Sequence, residues 1–150
     1  MNPKVILLVE DNRDDIELTT IALQDCRVPN EVAVARDGAE ALDYLFRRGA
    51  FAGRESQKLP AVVLLDLKLP KVSGFEVLEA LRGDARTKLL PVVILTTSNA
   101  DEDRLKGYTL GCSSYVRKPV DFQKFTEAVK DLGLYWLLHN EEPPRTKGAP

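Results

Sequence analysis

Five residues of this chain have side chains suited to polar chemistry and share one kind of placement. Glu10 and Asp11 follow the run VILLV, Asp66 follows AVVLL, Thr96 follows VVIL, and Lys118 follows SYVR and precedes Pro119. If those runs are neighbouring parallel strands, their carboxyl ends make one rim, and ligands of open α/β sheets bind outside that rim. Three carboxylates crowded there repel one another. Two like charges ~4 Å apart cost about 4 kcal/mol at an effective dielectric near 20. A positive charge must offset the repulsion. A hard, oxygen-loving Mg²⁺ ion, held by one or two carboxylates with waters completing its shell, is the simplest candidate. Lys118 adds a second, single positive charge that can pair with Asp66.

Each of these residues also has an ordinary structural use. Glu10 and Asp11 could cap the helix that follows them, as acidic residues often do. An Asp at a strand end is common in α/β folds, Lys118-Pro119 could be a turn, and Thr96-Thr97-Ser98 could simply start a helix. All four features occurring in chain order on the expected strands point to chemistry more strongly than any one alone.

The elements that must position them are legible as alternating patterns. Five strand-length apolar runs, Val5 to Val9, Glu31 to Ala35, Ala61 to Leu65, Val92 to Leu95 and Ser114 to Arg117, are separated by segments of helical spacing. That alternation predicts an α/β fold, a doubly wound five-stranded parallel sheet with helices on both faces. The second run is the least apolar and reads as an edge strand. Ile16, Thr20 and Leu23 mark the first helix, and Ala41, Leu42, Leu45 and Phe46 the second, with Asp37 and Glu40 spaced as a capping box. The third helix, about 74–82, carries Val77, Leu78 and Leu81 and stops at Gly83. The fourth, about 101–109, has only Leu105 and Tyr108 to anchor it. In the fifth, Phe122, Phe125, Val129, Leu132 and Trp136 form one stripe, widened by Leu134, Leu137 and Leu138. This exceeds what one sheet face needs, so either a subunit contact or a fold-back of the chain's own end is expected.

The chain's 150 residues suit one domain, expected over 1–140, with a Pro-rich disordered tail over 141–150 and an irregular connection over 49–59. A composition 44% hydrophobic and 29% charged is that of a globular protein. A formal net charge of -2 gives no basic face for nucleic acid or an acidic membrane surface. No apolar run approaches the ~20 residues of a membrane span. Cys26 and Cys112 lack a CxxC spacing and read as buried free thiols in a reducing cytoplasm. His139, the lone histidine, lies beyond every motif and is not expected to be catalytic.

Together, LLVEDN with Glu10 and Asp11, LLDLKLPKVSG with Asp66, Pro70 and Gly74, VVILTTS with Thr96, and SSYVRKPV with Tyr115, Lys118 and Pro119 resemble a response regulator receiver domain over nearly the whole chain. The resemblance implies a flavodoxin-like strand order of 2-1-3-4-5 and a Mg²⁺-dependent phosphoacceptor that is not an enzyme beyond its own phosphorylation and dephosphorylation. Position by position it implies that Asp66 accepts a phosphoryl group from a sensor histidine kinase. Asp11, Asp66 and the backbone carbonyl of Lys68 would hold Mg²⁺, with Glu10 acting largely through water. Thr96 and Lys118 would hold phosphoryl oxygens, and Tyr115 would be a switch aromatic that moves with Thr96. Ser73 and Leu69 depart from the residues frequent at their positions. Lys68 and Ser98 stand where relatives tune dephosphorylation.

The expected lack of an output domain, the 49–59 insertion and the apolar C-terminal helix make the chain similar to the small regulators of bacterial phytochromes. This implies a bacteriophytochrome kinase partner and a homodimer through the C-terminal helical region. Three rivals fare worse. An aspartyl-phosphate phosphatase needs a second acid where Lys68 stands. A flavodoxin needs a phosphate-cradling loop where the acidic run Glu10, Asp11, Asn12, Arg13, Asp14, Asp15 stands. A phosphorylation-independent module would have lost one of the acids, Thr96 or Lys118.

Overall fold

In the computed structural model, which describes residues 4–53 and 59–144, five parallel strands form one sheet. They are β1 (Lys4–Val9), β2 (Asn30–Ala35), β3 (Val62–Leu65), β4 (Val92–Thr96) and β5 (Ser114–Arg117), in the order β2-β1-β3-β4-β5. The expected order therefore holds, and β2 is an edge strand. Between them run α1 (Arg13–Gln24), α2 (Gly38–Phe46), α3 (Gly74–Arg82), α4 (Asp101–Leu110) and α5 (Phe122–Leu134), the last continuing into a π-helical turn over Tyr135–His139.

Alternation along the inner strands divides the core, because successive side chains point to opposite sheet faces. Leu7, Val9, Val63, Leu65, Val92 and Ile94 pack with Ala41, Leu45, Val77, Leu78 and Leu81 of α2 and α3. Ile6, Leu8, Val62, Leu64, Val93 and Leu95 pack with Ile16, Leu23, Phe125 and Val129 of α1 and α5. Each fully buried Val or Leu contributes roughly 1.5–3 kcal/mol of transfer free energy, so this two-sided burial fixes the register that brings the strand ends level. Val9 pairs with Leu65, Leu65 with Ile94, and Thr96 with Arg117.

Several elements differ from the sequence expectation. Leu105 and Tyr108 do not anchor α4, being 70% and 51% exposed. The helix lies on the sheet through Gly107, where an added Cβ would come 2.9 Å from Ile94 Cδ1. A residue without a side chain lets the helix backbone approach closely, so the large residues are left outside. Phe122 begins the α5 stripe yet is 64% exposed, whereas Phe125 and Val129 are buried. Of the two explanations for the apolar excess, the fold-back accounts for Trp136 and Leu137, which are buried, and Lys4 Nζ donates to the Leu137 carbonyl at 2.9 Å. Tyr135 and Leu138 stay exposed.

Local capping also differs. Asp37 accepts from the Glu40 N–H, but Glu40 reaches back to the Arg36 N–H instead of closing the box. The reciprocal capping box belongs to α3, between Ser73 and Glu76. Within the irregular 49–59 connection, Gly49–Phe51 form a 3₁₀ turn, and residues 54–58 lie outside the described residues. Of the expected tail, 141–144 have no regular structure and 145–150 lie outside the described residues.

Candidate functional site: an acidic rim with a buried lysine

The rim forms where β1, β3, β4 and β5 end. Glu10 and Asp11 follow β1, and the residue that caps α1 is Asn12, whose side chain accepts from the Asp15 N–H at 2.9 Å. Glu10 and Asp11 are therefore not spent on capping. Glu10 is instead buried, its Oε2 accepting from the Asn12 N–H at 3.1 Å. Asp66 follows β3, is 8% exposed, and accepts from the Leu67 N–H through Oδ1 at 2.8 Å. Gly74 explains the glycine in the LLDLKLPKVSG motif, since a Cβ there would lie 2.2 Å from the Asp66 carbonyl oxygen. Only glycine lets α3 start against the backbone of Asp66.

One carboxylate oxygen from each of Glu10, Asp11 and Asp66 lies within 4.8 Å of the others. This hard, all-oxygen donor set fits a divalent cation of the Mg²⁺ or Mn²⁺ kind, which takes carboxylate oxygens and keeps several waters. Lys118 projects into the same cluster and is 6% exposed. Its ammonium donates to Glu10 Oε1 in a short bond, donates to Asp15 Oδ2 at 2.9 Å, and lies 3.5 Å from Asp66 Oδ2. Its backbone N–H donates to the Thr96 carbonyl at 2.6 Å, which brings the ends of β4 and β5 together. Thr96 itself is fully buried, and its hydroxyl accepts from the Ser98 N–H at 3.4 Å.

Burial sets the electrostatics. It pushes the Glu10 carboxyl up to about 7, against the pull of the Lys118 hydrogen bond and with further upward pressure from the Asp66 charge. For Lys118, burial works to lower the pKa, but the hydrogen bond to Glu10, the charge of Asp66 and the hydrogen bond to Asp15 hold it above the usual lysine value. The lysine is thus a fixed positive charge among the acids. Among the described residues, no buried side-chain nitrogen or oxygen lacks a hydrogen-bond partner.

The structure brings Glu10, Asp11, Asp66 and Lys118 together and sets Thr96 at the adjoining strand end. Lys68 lies exposed two residues past Asp66. Tyr115 is half-buried on β5 and donates from its hydroxyl to the Ser98 carbonyl at 3.3 Å, which ties it to the loop that follows Thr96. Asp15 is the rim residue that sequence reasoning missed. It sits in the first turn of α1, where an acid reads as a complement to the helix dipole. The available signal was Asn12 three residues before Asp15, a spacing that starts the helix early enough to turn Asp15 toward the rim.

The family model for the response regulator receiver domain matches residues 6–130. The chain belongs to that family, the phosphoacceptor module of two-component signalling. It is 41% identical over 142 residues to the probable methanogenesis regulatory protein FilR2 of Methanothrix harundinacea, covering 95% of this chain and 89% of that one. It is 36% identical over 135 residues to the response regulator Rcp1 of Synechocystis, covering 90% of each. Rcp1 has been solved in a Mn²⁺-bound form that superposes with a TM-score of 0.87 at 34% identity, covering 95% of this chain and 100% of that one. The phosphorylated cyanobacterial phytochrome response regulator RcpA gives a TM-score of 0.89 at 38% identity over 95% of this chain and all of that one. The bacteriophytochrome response regulator RtBRR gives 0.75 at 52% identity, covering 95% of this chain and 86% of that one.

Proposed function

We propose that Asp66 is the phosphoacceptor of this receiver domain, and that Glu10, Asp11 and Asp66, with the backbone carbonyl of Lys68, hold the Mg²⁺ ion the reaction uses. The observation that carries the reading is the Lys118 ammonium set within 3.5 Å of Asp66 inside the three-acid group. Phosphoryl transfer needs positioning and charge neutralisation more than covalent help. A carboxylate oxygen of Asp66 attacks phosphorus in line, the O–P bond forms, and the P–N bond of a phosphohistidine breaks with its electron pair leaving on the imidazole. No general base is required. A cation held by Glu10, Asp11 and Asp66 would neutralise charge on the transferring group, while Lys118 and Thr96 hold the phosphoryl oxygens.

The product adds about two negative charges and three strong acceptors to the rim. Thr96 and Lys118 are drawn toward it, and the loop at Ser98, to which Tyr115 is hydrogen-bonded, shifts with them. The signal is a population shift across β4, α4 and β5, read by a partner. Turnover is limited to phosphorylation and dephosphorylation of Asp66 itself.

The donor is a sensor histidine kinase, of bacteriophytochrome type by its likeness to RcpA and RtBRR. Exposed Tyr135 and Leu138 at the C-terminal helical end supply the surface for a homodimer. No described helix is long and apolar enough to cross a membrane, and we place the protein in the cytoplasm, acting without nucleic acid. Incubation with acetyl phosphate and Mg²⁺ tests the central assignment: wild type becomes labelled, Asp66→Asn does not. Undiminished labelling of Asp66→Asn refutes it.

A further inference from the structure

Among the described residues Lys118 has three carboxylate partners, and they are not equivalent. Glu10 and Asp66 belong to the three-acid group that fits a cation; Asp15 does not. Once a cation occupies that group, the charges of Glu10 and Asp66 are shared with it, and Asp15 remains the one carboxylate competing freely for the ammonium. Its contact with Lys118, 2.9 Å, is shorter than the 3.5 Å from Lys118 to Asp66. Asp15 is also held in place from behind, since its backbone N–H is bonded to the Asn12 cap.

We infer that Asp15 is a positioning residue for phosphoryl transfer, one that holds the Lys118 ammonium in a resting position from which the phosphoryl group on Asp66 must draw it. This rests on the reading of Asp66 as phosphoacceptor. The Lys118 ammonium donates hydrogen bonds to Glu10 and to Asp15, while Asp66 lies 3.5 Å away. A phosphoryl oxygen on Asp66 therefore draws the ammonium in competition with the two acceptors it already has. Asp15 is the acceptor most easily displaced, because its side chain is 28% exposed and water can take over its hydrogen bonds, whereas Glu10 is 3% exposed. Asp15 thus stabilises the unphosphorylated arrangement over the phosphorylated one and sets how far the rim favours the activated state.

The test is a titration with beryllofluoride, a stable mimic of the phosphoryl group, at saturating Mg²⁺, followed by fluorine NMR. Wild type binds and Asp66→Asn does not; failure of wild type to bind removes the phosphoacceptor reading itself. Given that binding, Asp15→Asn and Asp15→Ser each bind more tightly, by about two- to fivefold for a partly exposed ion pair. Asp15→Glu, which keeps the carboxylate, returns toward wild type. Rising ionic strength narrows the gap between wild type and Asp15→Asn, because it screens the exposed pair more than the buried one. A merely structural role predicts weaker binding together with a lower Tm. Equal or weaker beryllofluoride affinity in the folded variants overturns the inference, as does failure of both variants to fold.

Discussion

Replacing Lys118 with Met removes the only cation that, among the described residues, the fold places among Glu10, Asp15 and Asp66, and its consequence can be worked from the geometry. At an effective dielectric near 20, the pairs at 2.9 and 3.5 Å each represent about 5 kcal/mol of gross attraction. Much of that is offset by the desolvation of a lysine that is 6% exposed. Removing one partner of a buried ion pair typically costs 3–5 kcal/mol. Glu10 limits the loss, since its carboxyl is already pushed up to about 7 by burial and takes a proton readily when the ammonium is gone. The expected cost at neutral pH without metal is about 3 kcal/mol, or a Tm lower by about 6–12 °C for a domain of this size. A divalent cation substitutes for the missing charge, so Mg²⁺ raises the Tm of Lys118→Met more than that of wild type. Calorimetry of both proteins with and without Mg²⁺ measures this. An equal Tm rise in the two proteins would refute the claim that Lys118 and the cation offset the same acids.

Because burial raises Glu10 from 4.5 to about 7, the folded state without metal holds its proton more tightly than the unfolded chain. That group's contribution to stability is present below pH 4.5 and is lost as pH rises toward 7. Metal binding requires the ionised form, so Mg²⁺ affinity falls by up to about tenfold per pH unit below 7, measurable by isothermal titration between pH 5.5 and 8. Gly74→Ala forces a Cβ to within 2.2 Å of the Asp66 carbonyl oxygen, displacing backbone. We expect a loss of about 3 kcal/mol in urea unfolding, together with weakened Mg²⁺ binding. Leu105→Ser, at a position 70% exposed, changes stability by no more than about 0.5 kcal/mol, against about 2–5 kcal/mol for Leu78→Ala in the core. Tyr115→Phe removes the hydrogen bond to the Ser98 carbonyl and costs about 1 kcal/mol by the same assay.

The strands were legible because β1, β3 and β4 are buried on both faces and so read as unbroken Val, Ile and Leu runs. A residue just past such a run has little freedom in where it lies, and Glu10, Asp11, Asp66, Thr96 and Lys118 could be placed on one rim for that reason. Helix faces were less legible. Leu105 and Tyr108 have the three-residue spacing of an inward face, yet α4 turns Gly107 inward, because close backbone approach outweighs the burial of larger side chains. The strongest apolar signal, the stripe beginning at Phe122, leaves its first member exposed and is buried at Phe125, Val129, Trp136 and Leu137. Asp15 escaped notice because its role depends on the helix starting at Arg13 and on a lysine 103 residues away in sequence. The Asn12 cap signals the first; nothing in local pattern signals the second.

All of this depends on a phosphoryl group arriving at one carboxylate among several on the rim. Borohydride reduction after exposure to acetyl phosphate and Mg²⁺ converts an aspartyl phosphate to homoserine, which peptide mass spectrometry locates. Homoserine is expected at position 66 alone, appearing only when the divalent cation is present. Homoserine at position 11 or 15, or modification that proceeds equally well in chelator, would contradict it.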